Sequence, residues 1–156
     1  MSVQTMIRVA PVKKTIRVNA SQARAFEVFT ARFDAWWPKG HHIGQAAMKE
    51  AVIEPRQGGR WYEKGEDGAE CDWGRVLAWE PPQRVVLSWH INSKFVIDES
   101  VVSEVEVRFI AEEGGITRVE LEHRIEAEDG EAMRAAVDSP GGWSGLLEAY
   151  RAAASG

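Results

Sequence analysis

Cysteine is almost missing from this chain: Cys71 is the only one in 156 residues. No internal disulfide and no multi-cysteine zinc site can form. No run of 18 or more apolar residues occurs, so there is no candidate membrane-spanning helix and no membrane insertion is expected. The opening MSVQTMIRVAPVKK lacks the unbroken apolar core of a signal peptide. A reducing, cytoplasmic location is the default expectation. Blocks of one charge sign are also missing, because 19 basic and 24 acidic residues are interspersed for a net charge of −5. Without a basic stripe the electrostatic term that drives nucleic-acid binding has no source, which excludes nucleic acid as a partner. Histidine is scarce at four residues. None stands in an HxH or HExxH spacing, so neither a metal nor a cofactor is expected.

Tryptophan is abundant, with seven residues. Each large aromatic ring buries about 150–250 Å², either in a core or in a pocket wall. Apolar residues make up 44% and charged residues 28% of the chain, ordinary proportions for a globular protein. The length suits one domain. Residues 1–11 are read as a flexible N-terminus and 12–154 as the domain.

Residues 12–18 (VKKTIRV) read as a first strand. Ser21 offers an N-cap, and Phe26, Phe29, Phe33 and Trp36 or Trp37 then recur at steps of three and four, the spacing of one helical face. Pro38 and Gly40 end that run, and a loop through His41–Gly44 follows. Strands are expected at 50–55, 60–64, 70–79 and 84–91, with Pro81–Pro82 forcing a turn between the last two. The strongest signal lies in 104–110 and 118–125. There Val105, Val107 and Phe109, then Val119, Leu121, His123 and Ile125, alternate with charged residues, a hairpin with one buried face. A short helix over about 130–138 precedes Ser139–Pro140, a cap followed by proline. Trp143, Leu146, Leu147, Tyr150 and Ala154 then make the apolar stripe of a C-terminal helix. The class is α+β: an antiparallel sheet whose greasy face is covered by that helix.

WWP at 36–38, GGRWYE at 58–63, CDWGRVLAWEPPQRVVLSWHI at 71–91, SEVEVRF and TRVELEHR at 103–109 and 117–124, and GGWSGLLEAY at 141–150 together resemble the SRPBCC (START/Bet v 1-like) superfamily. Within it they resemble the AHSA1 group, named for the activator of Hsp90 ATPase. The resemblance implies a helix-grip fold, β-α-α-β6-α, with a curved seven-stranded sheet around a long C-terminal helix and an apolar cavity between them. Members bind lipids, hormones and polyketides, some are cyclases, and one branch stimulates Hsp90. That branch carries a further N-terminal domain not found in these 156 residues, which counts against a full co-chaperone role.

The residues expected to bind ligand are Trp36, Trp37, Trp61, Trp73, Trp89, Phe109, Leu121, His123 and Trp143. His123 points inward by strand parity, either as a core histidine satisfied by its neighbours or as a polar anchor on the cavity wall. Parity leaves the facing of Trp61, Trp73 and Trp89 open. Of Trp36 and Trp37, one is read as a plug and the other as plug or gate. His41–His42 reads as a solvated loop, Cys71 as an idle thiol, and Gly141–Gly142 as a helix start. Glu104, Glu106, Glu120 and Glu122 with Arg108, Arg118 and Arg124 read as a self-compensating outer face.

The first functional expectation is a protein that binds a small apolar or aromatic molecule. A polyketide cyclase or aromatase is the second, with His123 as the sole catalytic candidate. It requires a second ionisable group nearby. The third is a chaperone-interaction domain, which calls for an exposed apolar patch. The sequence leaves the oligomeric state open, a homodimer included.

Overall fold

The computed structural model describes residues 7–155, and residues 1–6 of the expected flexible N-terminus lie outside that range. Period-two alternation builds the sheet. In β8 (Thr117–Ala127) alternate residues are buried from one end to the other. The strand pairs over ten positions with β7 (Val102–Ala111). The meander continues through β6 (Arg84–Ser88), β5 (Glu70–Glu80) and β4 (Arg60–Gly65) to β3 (Met48–Ile53), each pair antiparallel. β2 (Val12–Val18) closes the other edge against β8, preceded by the two-residue β1 (Ile7–Arg8) on the same strand. The seven expected strands are therefore present, with β1 as a short addition to the curved sheet.

The outer face is held by charge pairing. Glu106, although on that face, is only 7% exposed. Its carboxylate accepts from Arg84 at 2.6 Å, Arg108 at 3.0 Å and Arg124 at 2.8 Å. Burial alone would raise its pKa. The hydrogen bonds from Arg84 and Arg124, with the charge of Arg108, outweigh that and hold it at about 2.

The concave face is covered by α1 (Gln22–Phe29) and the C-terminal helical region. Ser21 caps α1 as expected, accepting from the Arg24 amide at 3.2 Å. Phe33 lies beyond α1 in a short 3-10 turn, Phe33–Ala35, so the aromatic face is continued by a second helical piece. The C-terminal region is α2 (Gly130–Asp138), a wide turn at Pro140–Ser144, and α3 (Gly145–Ser155). Ser139 does not cap α3 with its side chain; its hydroxyl donates instead to the Ala136 carbonyl at 2.7 Å. Gly142 is what lets the chain break there, since a Cβ at that position would sit 2.2 Å from the Val137 carbonyl oxygen.

Irregularities on β5 decide which way Trp73 faces. Register slips between Trp61 and Tyr62 and again between Val76 and Ala78. Gly74 permits the close approach of β5 to β6, because a Cβ there would lie 1.9 Å from the Ser88 carbonyl oxygen. Trp61 on the regular alternation of β4, Trp73 at the bulge and Trp89 just beyond β6 are all buried in the core. Among the described residues no helix is long and apolar enough to cross a membrane.

Candidate functional site

A cavity of about 460 Å³ opens among the loop through His41–Ile43, the loop carrying Phe95, and the break between α2 and α3. Four tryptophans border it: Trp37, Trp73, Trp89 and Trp143. Their rings form a connected wall, with centroids 5.8 Å apart for Trp89–Trp143, 6.3 Å for Trp143–Trp37 and 5.4 Å for Trp37–Trp73. Trp61 closes the arc from behind, 5.6 Å from Trp73 and 5.5 Å from Trp89. Ile43, Ile91, Val137 and Leu146 fill the spaces between the rings.

All four wall indoles spend their single N–H on the protein. Trp37 donates to the His41 carbonyl at 2.9 Å and Trp89 to the Ile91 carbonyl at 3.0 Å. Trp73 donates to Glu63 Oε1 and Trp143 to His123 Nδ1, each at 3.0 Å. An indole has one donor and no acceptor. The rings are therefore locked in orientation and present only π faces and C–H edges to the cavity.

His123 is fully enclosed, with both ring nitrogens occupied. Because the Trp143 indole can only donate, Nδ1 must carry a lone pair, and the proton sits on Nε2 facing Ser103 Oγ at 2.7 Å. Burial, with a lesser contribution from the Arg124 charge, depresses its pKa to about 3. The residue is a neutral tether between the sheet and the Pro140–Ser144 turn. Its two neighbours, a hydroxyl and an indole, satisfy it as in the first of the two readings.

Other expected site residues also lie away from the cavity surface. Trp36 packs against Phe29, Phe33 and Tyr150 and donates to the Val28 carbonyl at 3.0 Å, so it is the plug while Trp37 borders the cavity. Phe109 meets Phe26 and Phe29 edge-on in the packed core. Leu121, opposite Val107 in the ladder, is buried within that core, and Trp61 lies behind the wall. Strand parity places side chains on the inner face, but it does not say how far along the face the unfilled space lies.

Three features escaped the sequence reading. The His41–His42 loop does border the cavity, with His41 exposed and His42 half-buried. Glu63, 1% exposed, holds that loop: its Oε1 accepts from the backbone amides of Ile43 and of Gly44, the latter at 3.0 Å, besides the Trp73 indole. Its signal was parity with Trp61 two residues earlier. Phe95, 62% exposed, adopts a left-handed backbone with φ of 60°. Asn92 Oδ1 steadies the turn by accepting from the Lys94 and Val96 amides at 2.9 and 3.2 Å. Burial, then the Glu63 and Asp72 charges, pushes the Cys71 thiol pKa up, in keeping with an unreactive side chain. Among the described residues no group of three or more His, Cys, Asp or Glu could hold a metal ion.

Among solved structures, an anthrahydroquino-γ-pyrone synthase, Txn09, complexed with SUM, is 34% identical over 93% of this chain and 97% of its own, with a TM-score of 0.61. The self-sacrificing resistance protein CalC from Micromonospora echinospora is 28% identical over 92% and 93%, with a TM-score of 0.68. A protein from Rhizobium leguminosarum, 21% identical over 98% of both chains with a TM-score of 0.70, shares the fold. No curated protein sequence matches the chain. The family model described as Activator of Hsp90 ATPase homolog 1-like protein matches residues 19–153, so the chain belongs to that family.

Proposed function

We propose that the chain binds a small, flat aromatic molecule in the tryptophan-walled cavity. The observation that carries this reading is the wall itself: four oriented rings around a space of about 460 Å³. That volume falls in the usual range of ligand pockets, about 300–1,000 Å³, and apolar walls with few polar groups are their usual lining. The 34% identical structure is of a synthase named for an anthrahydroquinone–pyrone product class, which agrees with aromatic cargo. An enzymatic role built on His123 gains no support, since that ring is neutral, enclosed and bonded at both nitrogens. A chaperone partner rests on the family description alone.

Titration of intrinsic tryptophan fluorescence with naphthalene tests the reading. Saturable, one-to-one quenching is the expected result. Ala136→Phe, on the cavity side of α2, should fill the space and weaken binding at least about tenfold, or 1.4 kcal/mol, without lowering the melting temperature. Unchanged binding in that variant would place the ligand elsewhere and defeat the proposal.

A further inference from the structure

The polar side chains on the cavity besides the tryptophans are His41, His42 and Ser139, and their hydrogen-bonding character is one-sided. Both histidines of the lip are committed to backbone carbonyls: His41 Nε2 lies 3.1 Å from the Gly141 oxygen and His42 Nδ1 lies 2.8 Å from the Gly44 oxygen. A carbonyl oxygen only accepts, so the bonded nitrogen of each ring is the one that carries hydrogen. In a neutral imidazole the other nitrogen is then a bare lone pair. Those atoms, His41 Nδ1 and His42 Nε2, have no partner among the described residues. The remaining polar side chain on the cavity, Ser139, donates its hydroxyl hydrogen to the Ala136 carbonyl and keeps only lone pairs. The four wall indoles have already spent their donors, as described above. No lysine or arginine borders the space.

The cavity side chains therefore offer acceptors and no donor. We propose that His41 and His42 are specificity-determining residues that select aromatic ligands carrying a hydroxyl donor, hydroxyarenes such as phenols and hydroquinones, over the corresponding ethers and carboxylates. An ether or an ionised carboxylate would set lone pairs against lone pairs, whereas an aryl O–H completes the unused valence of one imidazole. The loop is fixed for this role before any ligand arrives. Trp37 holds the His41 carbonyl just before His42, and Glu63 holds the amides of Ile43 and Gly44 just after it. The inference rests on the cavity-binding reading and narrows its ligand class.

Three probes of one shape separate the two ideas: 2-naphthol, 2-methoxynaphthalene and 2-naphthoate, titrated at neutral pH into the full chain and into His41→Phe, His42→Phe and the double variant. A neutral hydrogen bond to a ligand is worth about a tenfold affinity difference. We expect 2-naphthol to bind about tenfold tighter than its methyl ether, with 2-naphthoate weakest. In the double variant the preference should fall to about one while the ether binds within about threefold of wild type, and His42→Gln, which restores an acceptor, should recover part of it. Equal binding of naphthol and ether by the wild type overturns the assignment but leaves the cavity reading intact. So does a preference that survives the double variant. Failure of all three probes, and of naphthalene, overturns both.

Discussion

The two ends of the concave face are built from the same kinds of residue and end in opposite states. At one end Phe26 and Phe29 of α1, Phe109 of β7 and Tyr150 of α3 meet edge-on at 5.1–5.9 Å and are fully packed away from solvent. The Tyr150 hydroxyl ties α3 to α1 through the Ala25 carbonyl at 2.7 Å. At the other end four tryptophans face a cavity. The difference lies in the cover. Two helices press on the packed end, whereas at the open end the C-terminal cover is broken at Gly141–Gly142 and replaced by loops. Rings supply volume in both places; a continuous helix over them is what squeezes that volume out.

Acid gives the largest handle on this contrast, because His123 lies under the open end. Its folded pKa of about 3 is below the ordinary 6.5. The stability this confers is fully present above pH 6.5 and is lost as pH falls toward 3, in all about 5 kcal/mol. Urea unfolding between pH 7 and 3 measures it, and ring nitrogen shifts should show His123 neutral, protonated on Nε2, at pH 4.5. A titration midpoint near 6.5 would refute the enclosed tether.

Phe109→Ala attacks the packed end and should cost about 3–5 kcal/mol with little effect on naphthalene affinity. If affinity falls as steeply as stability, the ends are not independent. Glu63→Gln acts on the open end and should cost about 1–3 kcal/mol by weakening charge-assisted bonds to the loop. Faster amide exchange at Ile43 and Gly44 is its signature, and unchanged exchange there would remove Glu63 from its clamping role. The smallest effect belongs to the outer face: Glu106→Gln should cost about 1–2 kcal/mol. With the carboxyl at about 2 in the fold against an ordinary 4.5, that contribution is present above pH 4.5 and fades as pH drops toward 2. A wild-type stability no higher than the variant's at pH 7 would show the arginine network to be idle.

Much of the architecture was legible in local pattern. β2 spans Val12–Val18, as its β-branched residues predicted, and the burial of β8 follows its alternation residue by residue. The facing of Trp73 was not legible, because a bulge on β5, where Trp61 pairs with Gly74 but Tyr62 with Asp72, resets the parity that a regular strand would carry past it. Of the expected wall, Trp37, Trp73, Trp89 and Trp143 border the cavity, while Phe109, Leu121, Trp36, Trp61 and His123 are absorbed into packing. Glu63 was passed over because a glutamate in a strand ordinarily reads as an outward residue.

Periodicity along the chain was enough to determine an antiparallel sheet with one apolar face and a terminal helix to cover it, since both follow from where each side chain points relative to its own backbone. Where empty volume remains, and which polar groups meet around it, depended on the tertiary structure. Those outcomes come from contacts between segments 100 or more residues apart, as His41 with Gly141 and Trp37 with Trp143 show, and no local pattern records how tightly two distant surfaces close.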